Sequence, residues 1–257
     1  MPVKKVESLS RGLDILEVLS ANPSGLKLQE ITRRVGLPRA TTYRLLQTLI
    51  AKDHVHYFKG TATFRLGPKV MSLGFSALSG LDLVKLAEPY LKRLSRTIRQ
   101  NVNLGILDKT EIVYVIRIKV RRILGIELSV GSRLSAYNSA MGEALLAYLE
   151  PEELDSVLSE MAQDPKTASQ IGPQGEILRE KLDQVRSLGY ALSEDEFVKG
   201  LRSVAVPVFN AQGLAEAAIN VPVFSQLCTR EELIEQHLPL VLETSQTISK
   251  LRGYRPG

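Results

Sequence analysis

Ala40, Tyr43, Arg44 and Gln47 recur at helical spacing in a basic stretch of the chain, with Pro38, Arg39 and Thr41 just before or among them. The set combines cations, an amide, a phenol and small residues. Side chains of this kind on one helix face suit phosphates and base edges, because a major groove admits an α-helix and presents donors and acceptors along its floor. The opposite face carries Thr42, Leu45, Leu46 and Leu49 at i, i+3, i+4 and i+7, which predicts one helix from about Pro38 to Lys52.

Other chemistry-bearing residues are sparse. The three histidines are His54, His56 and His237. His54 and His56 would share a strand face as half a metal site. No cysteine, further histidine or acidic ligand lies nearby, so exposed strand residues are the favoured reading and no metal is expected. Glu194-Asp195-Glu196 lacks a partner base or nucleophile and is taken as a solvated loop. Arg117, Lys119 and Arg121 alternate along one strand face, with Arg122 beside them. The favoured reading is the wet side of a sheet; the alternative is a grip on a carboxylate, which arginine pairs with bidentately. No Gly-x-Ser-x-Gly elbow, Walker loop, dinucleotide fingerprint or His-Glu-x-x-His is present, so neither an enzyme nor a cofactor is expected.

The elements needed to hold the basic face are legible around it. Leu13, Leu16 and Leu19, with Ile15 beside them, predict a first helix over Ser10–Ser20, ended by Asn22-Pro23-Ser24-Gly25. Leu28, Ile31 and Val35 predict a second, with Gly36 placed for a left-handed C-cap and Pro38 near the first turn of the third helix. Two helices across a short Gly-containing turn, the second with polar residues near its start, form the helix-turn-helix layout. His54–Phe58 and Thr63–Leu66, joined by Lys59-Gly60-Thr61-Ala62, predict a hairpin, a wing whose tip places Lys59 near a phosphate.

Charge distribution agrees. The net charge is +5, but residues 1–80 hold 12 Lys and Arg against 5 Asp and Glu, and the remainder holds 21 against 23. The basic excess sits wholly in the first third, as expected where that part meets a polyanion. The 257 residues suggest two domains. No apolar run approaches the roughly 18 residues of a membrane span, and MPVKKVESLSRG lacks a signal peptide's apolar segment. The single cysteine, Cys228, fits a reducing cytoplasm.

Beyond the wing, residues 68–78 and 81–100 are helical in pattern, with a break or kink expected before Pro89. Strands are expected at Val102–Leu107, Ile112–Ile118 and Ile123–Leu128. Helices are expected at Ala140–Leu149, Pro151–Met161 and Gly175–Leu188, the last reached through a looser stretch. Further strands are expected at Tyr190–Leu192, Ser203–Phe209 and Leu214–Val221, and a closing helix is capped by Thr229. Strands, helices, then strands describe an α+β sheet domain.

Several blocks resemble the IclR family of bacterial transcriptional regulators. They are Leu9-Ser10-Arg11-Gly12-Leu13-Asp14-Ile15-Leu16, the run Ile31 to Leu46, the run Val130 to Ala147 with Gly142-Glu143-Ala144, and Gly200 to Phe209. The likeness spans nearly the whole chain in order. It implies a winged helix-turn-helix over residues 1–67, a linker helix over 68–80 and a GAF-like effector domain over 81–257. It also implies dimers or tetramers on double-stranded operator DNA, and small organic or aromatic acids as effectors. By position its pocket would include Ala140, Met141, Leu201, Ser203 and Asn220. Ser135 departs from the family's usual proline, beside that pocket. Tyr137, Asn138 and Ser139 enter the same helix, so neutral hydrogen bonds from Asn138, Ser139, Ser203 and Asn220 and apolar wall from Met141 and Leu201 are expected around an anionic ligand. The alternatives are a ligand-independent DNA-binding protein and an enzyme with an appended basic domain.

Overall fold

Three helices and a hairpin build the first part of the chain, as the apolar spacing requires. They are α1 (Glu7–Ser20), α2 (Leu28–Val35), α3 (Arg39–Ala51), β1 (Val55–Phe58) and β2 (Thr63–Leu66), followed by α4 (Pro68–Ser79). The structure is a computed structural model that describes residues 6–79, 82–120, 128–196 and 198–255. It separates into two units, Met1–Gly80 and Leu81–Gly257.

In the first unit Ile15, Leu19, Leu26, Ile31, Leu46, Val55 and Phe64 form the core. The stripe expected on α1 is re-phased. Ile15 and Leu19, four apart, point inward, while Leu13 is 51% exposed and Leu9 63%. The core is served by a pair one turn apart, which leaves a second apolar row outside. The backbone N–H of Lys27 donates to Glu30 at 2.7 Å and so closes the start of α2. Gly36, at φ +65°, ends it as expected. An antiparallel bridge between Leu26 and Phe64 ties the segment before α2 to the hairpin.

The second unit is a six-stranded antiparallel sheet with helices packed on it. Its strands are β3 (Val102–Asp108), β4 (Glu111–Ile118), β5 (Arg133–Ser135), β6 (Ala191–Glu194), β7 (Leu201–Phe209) and β8 (Ala215–Phe224), in the order β5-β4-β3-β8-β7-β6. Ahead of them runs α5 (Asp82–Ile98). It carries Pro89 yet is not broken there, because Leu83, Ala87, Leu91, Leu94 and Ile98 are buried along its length and hold both halves. Between β5 and β6 lie α6 (Ala140–Leu146), α7 (Pro151–Met161), α8 (Pro165–Ile171) and α9 (Glu176–Leu188). The chain ends with α10 (Arg230–Glu232), a π-helical turn at Leu233–His237 and α11 (Leu238–Leu251). The mixed α+β class is as expected.

The differences have local causes. The looser stretch contains α8, capped by Asp164, whose carboxylate accepts the Thr167 N–H at 2.9 Å ahead of Pro165. The expected strand at Ile123–Leu128 lies outside the described residues except for Leu128. The short β5 is held to the β3–β4 hairpin by Arg133, whose guanidinium meets Asp108 and Glu111, each at 2.6 Å. Gly142 lets α6 come close: a Cβ there would lie 1.9 Å from the Ala136 carbonyl oxygen.

Candidate DNA interface and effector cavity

On α3 the inner and outer faces fall where the spacing puts them. Thr42 and Leu46 are buried and Leu45 and Leu49 half-buried, whereas Pro38, Arg39, Ala40, Tyr43, Arg44 and Gln47 are exposed and Thr41 is half-buried. The Thr42 hydroxyl donates to the Pro38 carbonyl at 3.2 Å, so this inward polar residue is satisfied within the helix start. Neither Arg39 nor Arg44 has an acidic partner among the described residues. Both guanidiniums are free cations on one surface. Lys59 is exposed at the turn of the hairpin. That hairpin is stiffened by Tyr57 packed on Phe64 (centroids 4.8 Å apart) and by the Arg65 guanidinium 4.7 Å above the Phe58 ring. His56 is exposed and His54 half-buried, and no group of three or more metal-ligating side chains occurs among the described residues.

In the second unit a cavity of about 50 Å³ opens between the sheet and the start of α6. Its wall includes Ser139, Ala140, Met141, Leu201, Ser203 and Asn220, six of the eight effector residues expected from the sequence. Tyr137 and Asn138 line a neighbouring hollow with Lys181 and Glu196 instead. They belong to the one-turn 3-10 helix Ala136–Asn138 ahead of α6, and that turn faces α8 and α9 rather than the cavity. The Ser139 hydroxyl is engaged as the α6 cap, accepting the Gly142 N–H at 3.1 Å.

The cavity also gathers Asn103, Tyr114, Leu128, Leu134, Ser193 and Pro222, which the sequence did not single out for it, and Arg117, for which a carboxylate grip was the alternative reading. The wet-face reading of Arg117 is corrected here, and a β-bulge is the reason. Leu104 pairs with Ile116 but Gly105 with Tyr114, so Val115 is an extra residue in β4. One extra residue reverses the alternation. Tyr114 and Arg117, three apart, therefore share the cavity side, although strict period-2 pairing would separate them. Cross-strand pairs then lay a polar row over the sheet: Arg117 opposite Asn103, Asn103 opposite Asn220, and Ser193 opposite Ser203 on β6 and β7.

Burial sets the electrostatics of that row. Desolvation lowers the Arg117 pKa from its ordinary value, and the nearby Tyr114 acts the other way. Burial pushes the Tyr114 phenol up to about 12, with Arg117 opposing, so the ring carries a neutral hydroxyl. The guanidinium lies 5.9 Å from the Tyr114 ring centroid. Among the described residues no aspartate or glutamate lines the cavity.

The acidic triplet is structural. Glu194 pairs with Arg202 and with Arg230, Asp195 accepts the Gly200 N–H, and Glu196 meets Lys181 at 2.7 Å. Lys181 also lies 3.6 Å from Glu143, a buried carboxyl on α6.

Comparisons with known proteins agree with this geometry. Residues 8–57 match the model of the IclR helix-turn-helix domain, and residues 75–250 match that of the bacterial transcriptional regulator IclR C-terminal domain. The chain is 34% identical over 242 residues to the Pca regulon regulatory protein of Pseudomonas putida, covering 94% of this chain and 82% of that one. It is similar to the crystal structure of an IclR transcriptional regulator from Alicyclobacillus acidocaldarius, with a TM-score of 0.79 and 27% identity over 97% of this chain and 100% of that one. An IclR homolog from Microbacterium hydrocarbonoxydans, crystallised with 4-hydroxybenzoate, shares the fold at a TM-score of 0.78 and 21% identity, covering 96% and 99%. With both units matched in order along nearly its whole length, the chain belongs to the IclR family of bacterial transcriptional regulators.

Proposed function

We propose that the chain binds a double-stranded operator through α3 and the wing, and that a small organic acid in the cavity beside α6 sets its operator affinity. The observation that carries this reading is a positively charged side chain, Arg117, held half-buried on a small cavity in whose lining no acidic side chain occurs among the described residues. A cation desolvated in this way is stabilised by a complementary anion. On the first unit, Arg39, Thr41, Tyr43, Arg44 and Gln47 read the groove, Pro38 and Ala40 let the helix start approach it, and Lys59 holds a phosphate. Ser139, Ala140, Met141, Leu201, Ser203 and Asn220 contact the effector. Tyr137 and Asn138 shape the helix entry without touching it.

The working form is a homo-oligomer in the bacterial cytoplasm. Exposed apolar rows support this: Leu9 and Leu13 on α1, and Met71 and Leu73 on α4, are all more than half exposed in a single chain. The test is to select duplexes from a randomised pool with the full-length protein. Their affinity is then measured by fluorescence anisotropy with and without a panel of aliphatic and aromatic acids. An acid-dependent change in affinity is expected. Selection of a duplex whose affinity no acid alters leaves a ligand-independent DNA binder, and turnover of an acid makes the protein an enzyme.

A further inference from the structure

Two buried polar atoms of residues that line the cavity have no protein hydrogen-bond partner among the described residues: Arg117 Nε and Asn103 Oδ1. The first is a donor and the second an acceptor. We propose that the effector is a hydroxylated carboxylic acid, its carboxylate held by Arg117 and its hydroxyl donated to Asn103 Oδ1. The proposal rests on the acid-effector reading above and names the chemical class that the site selects.

The orientation of the Asn103 amide is dictated by its neighbours. The Val204 carbonyl can only accept, so Asn220 turns its Nδ2 toward it, at 3.3 Å. Asn220 Oδ1 then faces Asn103, which must present its own Nδ2, at 3.0 Å. Asn103 Oδ1 is the atom left over, on a residue only 1% exposed. A buried acceptor without a donor is costly, and a second carboxylate oxygen or an alkyl group in the ligand would leave it so. A ligand hydroxyl satisfies it.

Arg117 supplies the other half. It sits directly across from Asn103 in the β3–β4 pairing, so the two groups border the same end of the cavity. Its guanidinium is partly desolvated and offers the forked donors that match a carboxylate. Met141, Leu201 and Pro222 supply apolar surface for the rest of the ligand. The amide chain rejects an acid lacking the hydroxyl, and the arginine rejects an alcohol lacking the acid.

Calorimetric titration of the full-length protein with three matched pairs tests both halves: lactate and propionate, 3-hydroxybutyrate and butyrate, 4-hydroxybenzoate and benzoate. In at least one pair the hydroxy acid should bind wild type about 10- to 100-fold tighter than its deoxy partner. Arg117→Met should weaken that acid by a similar factor. Asn103→Val should erase the difference within the pair. Asn103→Ala, which also removes the acceptor, is the substitute should the valine variant not fold, and near-UV circular dichroism checks all variants. Equal affinity within every pair overturns the hydroxyl assignment. An acid that binds wild type and Arg117→Met alike overturns the anchor but leaves the acid-effector reading standing. If none of the six acids binds wild type, both fall.

Discussion

At the scale of single residues, the proposed DNA contacts give the exposed cations of α3 and the wing separable tasks. Arg44 projects from the outer face with no acidic partner among the described residues, so Arg44→Ala should weaken binding to the selected duplex by ~1–3 kcal/mol and relax its sequence preference, if Arg44 reads a base. Lys59→Ala should weaken all duplexes alike and lower the salt slope of the binding constant by about 1. Anisotropy over a series of salt concentrations distinguishes the two. An Arg44→Ala protein with unchanged affinity would remove α3 from the interface. A different residue-scale prediction concerns Glu143. Burial, with the nearby Glu196 adding and Lys181 opposing, raises its pKa to about 8. Its folded form therefore holds a proton that the unfolded chain releases near 4.5. The resulting stability is complete below the unfolded value and is lost as pH rises through about 8. Glu143→Gln should retain more of its thermal stability than wild type between pH 6 and pH 9. Parallel melting curves across that range would contradict the assignment.

At the scale of elements, the approach of α6 to its preceding turn is the most demanding packing in the second unit. All seven α6 residues are buried, and Gly142 has no room for a side chain against the Ala136 carbonyl. The obstacle is backbone, which cannot swing aside as a side chain can. Gly142→Ala should cost more than about 3 kcal/mol in denaturant unfolding. An effect under about 1 kcal/mol would mean that α6 can slide. The same scale explains what patterning could and could not reveal. Outer and inner faces of α3 were readable because a helix keeps its period without interruption. On β4 the favoured reading put Arg117 on the wet face, because Val115 adds one residue to the strand and a bulge has no reliable signature in an alternating run. On α1 the inward pair was misjudged because leucines occupy both sides of the helix, and composition alone does not rank them. The α8 cap, Asp164 before Pro165, was a legible signal within a stretch otherwise dominated by loop residues.

At the scale of the whole molecule, the charge imbalance and the buried cavity belong to different units, and regulation requires a free energy that links them. Binding of the effector should shift operator affinity by roughly 1–3 kcal/mol, and by reciprocity the operator should shift effector affinity by the same factor. Titrating the acid with and without saturating duplex checks the equality. An acid whose affinity ignores the duplex would uncouple the cavity from DNA binding. The sequence by itself determined most of the order of elements, the exposed polar side of α3, the α+β class and most of the cavity's wall near α6. Those features follow from local periodicity, caps and turn residues, together with a family likeness carried by contiguous blocks. Only the tertiary structure decided that Arg117 and Asn103 meet Asn220 across three strands, that Tyr137 and Asn138 turn away, and that Glu143 shares a buried corner with Lys181 and Glu196. Each of these depends on register, on one inserted strand residue, or on helices distant in sequence packing side by side, which no local pattern encodes.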